Sequence, residues 1–243
     1  MFLLFHLLTG LVIGYLLADR FDERRMVLPC ILGSVLPDIV DKPIGYLVFG
    51  EAIGNGRIFL HTLFFLVLVL AIGAFVLRKW HVPHLLALGI GVGSHQVLDL
   101  MWEQHTEWYY PFLGPFSKLE HEEWFVQALL AELQNPVEWI TGILLCLVLL
   151  PIMFPSADRW LEERGGRSLR TLGLVAAPIL FAVGIFMMTK GLSHQFTPVT
   201  GWHEPLYNVF GGGVVILAAL AAYRFSQGGQ APGRMETDTG GHG

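Results

Sequence analysis

The chain has 243 residues, of which 53% are hydrophobic and only 14% charged. Soluble domains are roughly a quarter charged, so the composition excludes a disordered chain and argues strongly against an ordinary soluble globule. A formal net charge of −5 with no long basic stretch argues against a nucleic-acid partner. The two cysteines, Cys30 and Cys146, both lie in apolar runs, which excludes a disulfide scaffold and a cysteine zinc site. They read as small buried hydrophobes. The class that remains is a polytopic, all-α integral membrane helix bundle.

A transmembrane helix needs about 20 mainly apolar residues. In chain order, stretches that meet this are 2–18, 58–77, 83–101, 137–154, 172–189 and 206–223. A further segment begins at Met26 and is interrupted by Pro37, Asp38, Asp41, Lys42 and Pro43. Because proline breaks the i→i−4 ladder, this segment predicts a helix from Met26 to about Val40, then irregular chain up to Gly56. About seven spans result. The first does not read as a signal peptide, since it lacks a basic n-region and a small-residue cleavage site and contains His6, and it is expected to stay in the mature protein. If the spans alternate, eleven of the fifteen Lys and Arg residues fall on one side, and Lys42, Arg57, Lys118 and Lys190 on the other. The positive-inside rule then predicts an outside N-terminus, an inside C-terminus and a multi-pass protein of the cell membrane.

On that topology the 102–136 loop lies outside. Within it, 120–133 carries Trp124, Phe125, Ala128, Leu129 and Leu133 at helical spacing, a pattern for a helix in the outer interface or over the bundle mouth. The expected organisation is a metal-site membrane core over 1–115, the outer loop helix and spans 5–7 over 116–225, and a disordered cytoplasmic tail over 226–243. The small residues Gly10, Gly14, Gly89, Gly91 and Gly93 read as close helix packing.

Ionisable groups within spans are expensive and mark functional sites by default. His6 lies one turn inside the outer end of span 1, and Asp38 and Asp41 lie at the outer end of span 2. His61 is about 5 Å inside the outer end of span 3 at 1.5 Å per residue. His95 and Asp99 occupy the last two turns of span 4. Three imidazoles and three carboxylates thus share one depth. His95 and Asp99 are i,i+4, and Asp38 and Asp41 are i,i+3, so each pair shares a helix face. Mixed imidazole and carboxylate donors suit zinc or a similar first-row divalent ion, manganese included. The predicted metal ligands are therefore His6, Asp38, His61, His95 and Asp99. Arg57, at i−4 from His61, is placed to meet an anionic substrate.

Each residue also has a plainer reading. A lone His6 is an ordinary buried hydrogen-bonding residue, Asp38 after Leu-Pro is a turn cap, and Arg57 snorkels to anchor its span. Glu103, His105 and Glu107, directly after span 4, read either as an extra ligand or base or as exposed loop residues. The shared depth of the set favours one site over separate accidents.

The run Gly33-Ser-Val-Leu-Pro-Asp38, then His61-Thr62, then Gly93-Ser-His95-Gln-Val-Leu-Asp99, with the early His6 and Gly10, resembles the YdjM-like family of membrane-bound, metal-dependent hydrolases. The likeness covers about residues 1–115, with Tyr110-Pro111-Phe112 after span 4. It implies an integral membrane protein with a metal site and hydrolase activity. Two departures fall at Val40, where the family commonly has a second Asp and Asp41 follows instead, and at Arg57-Ile-Phe-Leu-His61, where the family has Arg-Gly-x-Thr-His. The ligand order is also similar to that of soluble zinc-dependent phospholipase C and P1-type nucleases, an analogy of fold level alone.

The expected function is a metal-dependent hydrolase at the extracytoplasmic membrane interface, acting on a phosphoester or on a membrane lipid or lipid-linked small molecule. Asp41 or Glu103 is the expected base for the attacking water, and Arg57 the expected anion contact. The alternative is a non-enzymatic transporter or channel that uses the cluster as an ion or proton site. Haem ligation by His6, His61 or His95 ranks behind both, since axial histidines need no neighbouring carboxylates.

Overall fold

The computed structural model describes residues 3–118, 169–193 and 205–227, together with Leu130 and Trp139. The described residues are helical or irregular, with no strand among them. The helices are α1 (Leu3–Phe21), α2 (Val27–Lys42), α3 (Leu63–Trp80), α4 (His84–Leu98), the single turn α5 (His105–Trp108), α6 (Leu169–Leu192) and α7 (Pro205–Ser226). Helix α1, helix α3 and the Gly173–Leu192 part of α6 are long and apolar enough to cross a membrane. The apolar stretches His84–Leu98 and Asn208–Arg224 are shorter. The predicted outer-loop helix over 120–133 and the span over 137–154 lie outside the described residues, apart from Leu130 and Trp139.

Two boundaries differ from those predicted. Helix α2 does not end near Val40 but runs through Pro37 to Lys42, and one wide π turn continues it over Pro43–Val48. An interior proline costs a helix about 3 kcal/mol; here α2 is wedged between α1 and α4, and burial of Cys30, Gly33, Val35 and Pro37 itself offsets that cost. Pro43 sits at the first position of its turn, where no backbone donor is required. Helix α3 begins at Leu63, not at 58. The hydroxyl of Thr62 caps it by accepting a hydrogen bond from the Phe65 N–H at 3.1 Å. His61 therefore lies on irregular chain just before the helix.

The backbones of α1, α2 and α4 meet almost without intervening side chains. A Cβ added at Gly33 would strike the Leu88 carbonyl, and one added at Gly91 would strike the Cys30 carbonyl. Gly10 abuts Ser34 and Cys30 in the same way. Leu8, Leu11 and Val12 of α1 are buried with Ala221 of α7, and Met26 and Cys30 are buried with Ala87. Helix α3 packs on α4, with Gly73 against Leu86, and leaves Phe64, Val67, Leu68, Ile72 and Phe75 exposed.

These contacts set a test. Gly91→Ala should push α2 from α4 and cost about 1–3 kcal/mol, the usual range for overpacking. Gly93→Ala, whose Cβ would meet only Leu66 Cδ1 at 3.5 Å, should be close to neutral. Thermal unfolding in detergent compares the two. Equal melting temperatures would contradict the tight α2–α4 contact.

Candidate metal centre

Helices α1 and α3 begin, and α2 and α4 end, at the same end of the bundle. That polarity gathers His6 from the start of α1, Asp38 and Asp41 from the last turns of α2, His61 from just before α3, and His95 and Asp99 from the end of α4. All six side chains are buried. Asp38, His61, His95 and Asp99 each offer one donor atom, and these four atoms lie within 4.8 Å of one another, a grouping that could hold a metal ion. His6 stands beside this group: its ring stacks on His95 with centroids 4.2 Å apart, and its Nε2 is 3.2 Å from Asp99 Oδ1.

The hydrogen bonds around the two central imidazoles fix where their protons sit. His95 Nδ1 is 2.8 Å from the Ser34 carbonyl oxygen, which can only accept, so Nδ1 carries the proton. His61 Nδ1 is 2.7 Å from Asp41 Oδ2 and donates to that carboxylate. In the neutral tautomers each Nε2 is then a bare lone pair, and the two Nε2 atoms face each other at 3.2 Å. Two buried lone pairs at that distance repel, and a cation between them turns repulsion into ligation. Asp38 Oδ1 lies 3.5 Å from His61 Nε2 and 3.7 Å from His95 Nε2, and it accepts no hydrogen bond among the described residues. Donors bound tetrahedrally at about 2.0–2.1 Å are about 3.3–3.4 Å apart. The three donors of His61, His95 and Asp38 lie near that spacing, so the group could hold a metal ion, and its outer partners are of the kind that orients metal-ligating histidines.

Asp41 is committed to that orienting role. Its Oδ2 accepts from the backbone N–H groups of Ile58 at 3.2 Å, Leu60 at 2.9 Å and His61 at 3.1 Å, in addition to the imidazole. Arg57 does not stand over His61 at a helical i−4 spacing, because 57–61 is not helical. Its Nε and Nη2 both donate to Asp99 Oδ2 at 3.3 Å. Glu103, on the turn Met101–Glu103 after α4, is exposed, and no contact to the cluster is seen for it among the described residues.

Three supports were not anticipated as such. Lys42 Nζ lies 2.5 Å from Asp38 Oδ2, as a close ion pair without hydrogen-bond alignment. Buried Gln96 donates through Nε2 to the Leu60 and Thr62 carbonyls, both at 3.1 Å, and so grips the chain on either side of His61. Asn55 accepts from the Arg57 N–H at 2.8 Å and donates to Glu107 Oε1 at 3.1 Å. It thereby ties the segment before α3 to the one after α4. Burial pushes the Glu107 carboxyl up, but hydrogen bonds from Thr106 and Ser117 outweigh it and hold the group below its ordinary value. The sequence signals for these residues are a lysine four positions after Asp38, an amide next to His95 and an Asn between two glycines. The Ser34 carbonyl leaves no side-chain signal at all.

The family model described as YdjM inner membrane protein matches residues 1–189 of the chain. No curated protein and no solved structure matches it.

Proposed function

The chain belongs to the YdjM inner membrane protein family, and from that premise we propose that it is a metal-dependent hydrolase whose site faces the extracytoplasmic interface. The observation that carries the metal is the pair of opposed Nε2 atoms at 3.2 Å with Asp38 Oδ1 beside them. Asp38, His61, His95 and Asp99 would hold the ion, with His6 supporting Asp99. A bound divalent ion supplies Lewis-acid chemistry, acidifying water and withdrawing charge from a phosphoryl oxygen. Asp41 and the Ser34 carbonyl keep the imidazoles aligned, and Arg57 holds the Asp99 carboxylate. Glu103, exposed just after Asp99, is the carboxylate open to take a proton from an incoming water.

Seven spans with the N-terminus outside remain the topology of this proposal. Arg20, Arg24, Arg25, Arg78 and Lys79 gather at the end of the bundle opposite the cluster, which supports placing the cluster away from the cytoplasm. A lipid-linked phosphoester is favoured by the exposed Phe59 and Phe64, close in sequence to Arg57 and His61, and by the exposed Phe112. Phe64 and Phe112 meet edge to face at 6.4 Å, extending the apolar face of α3 towards the site. Against an ion path, no Asp, Glu, His, Lys or Arg occurs in 7–18, 27–37, 62–77 or 85–94.

Detergent-purified protein should hydrolyse chromogenic or lipid phosphoesters with zinc or manganese and lose that activity with chelator. His95→Ala should lower it by at least about 100-fold, more than loss of an outer partner does. Zinc binding without any metal-dependent hydrolysis across mono- and diester substrates would remove the hydrolase reading and leave the ion site.

A further inference from the structure

Resting on the metal-site reading above, we propose that Lys42 and Arg57 restrict this centre to a single divalent ion. Both are positioning residues that act through the carboxylates they hold. Lys42 pairs with Asp38, and Arg57 with Asp99, so each cation sits on one of the two carboxylates of the donor group. The two cations are anchored together: the Lys42 stem packs on Gly56, where a Cβ would lie 2.9 Å from Lys42 Cγ, and Gly56 precedes Arg57. Asn55 fixes the Arg57 backbone on the other side.

The charge balance follows from these contacts. Asp38, Asp41 and Asp99 bring three negative charges, Lys42 and Arg57 bring two positive ones, and His61 and His95 would be neutral as metal ligands. One net negative charge remains. A first divalent ion brings the cluster to one net positive charge, and a second would bring it to three. In a buried setting, uncompensated charge of that size is prohibitive. A carboxylate that bridges two ions uses both oxygens, and here Oδ2 of Asp38 and Oδ2 of Asp99 already face the cations.

Elemental analysis of the full chain in detergent, after zinc loading and removal of free metal, should find one zinc per chain beyond that retained by the His61→Ala, His95→Ala double variant. Lys42→Gln removes one opposing charge and should bind zinc at least tenfold tighter in calorimetric titration. Lys42→Arg retains the charge and should bind like the parent. Should Lys42→Gln fail to insert, Arg57→Gln tests the same balance and should also bind more tightly. Two zinc ions per chain, or unchanged or weaker binding in the charge-removed variants, would overturn the one-ion assignment and leave the metal centre intact. No difference in zinc content between the parent and the double variant would overturn both.

Discussion

Asp41→Ala should destabilise the protein more than any other single change in the cluster. Asp41 is fully buried, and one of its oxygens serves three backbone N–H groups and an imidazole N–H. Each of these four buried donors left without a partner costs about 1–3 kcal/mol. For a chain of this size about 2–4 °C of melting temperature accompanies each kcal/mol. The expected drop is therefore about 10 °C or more in detergent. Asp41→Asn retains an acceptor for the backbone donors and should fall between. If Asp41→Ala melts within about 2 °C of the parent, Asp41 does not hold the 58–61 segment.

The second large effect concerns the ion. Binding to the folded state stabilises by mass action, by about 4 kcal/mol when the ligand is at 1,000 times its Kd. Chelation should therefore lower the melting temperature of the parent by about 10 °C, and zinc or manganese should restore it. The double change His95→Ala, Asp99→Ala removes two of the four clustered donors and should abolish the response while leaving the chain inserted, since it makes the end of α4 more apolar. Lys118→Ala is the control: its Nζ donates to the Glu51 carbonyl, away from the cluster. Identical curves with metal, with chelator and in the double variant would favour the ion-path reading.

The grouping of Asp38, His61, His95 and Asp99 is legible in the amino-acid sequence because isolated charges stand out against apolar helices. Residues i,i+4 such as His95 and Asp99 share a face whatever the tertiary structure. What surrounds the grouping is less legible. Whether 58–62 continues α3 depends on whether Asp41 satisfies its backbone N–H groups, a contact between residues 17 to 20 positions apart. The partner of Arg57 changes with that boundary, from a substrate above His61 to Asp99. The segment after Pro37 reads as ending near Val40 because propensity is local, whereas packing between α1 and α4 is not. The orientation of the bundle, in turn, is a property of chain and bilayer together.

The Asp38–Lys42 pair has one more consequence, for biogenesis. In the proposed topology, spans emerge from the ribosome in order, and a hairpin of α1 and α2 would enter the bilayer before α3 and α4 have been made. At that stage Asp99, His95 and His61 do not yet exist to share the polar end of α2. A partner four residues along the same helix is available as soon as the helix closes its last turn. Lys42 thus lets Asp38 be inserted as half of a neutral pair, and the later spans arrive at a carboxylate that is already partnered.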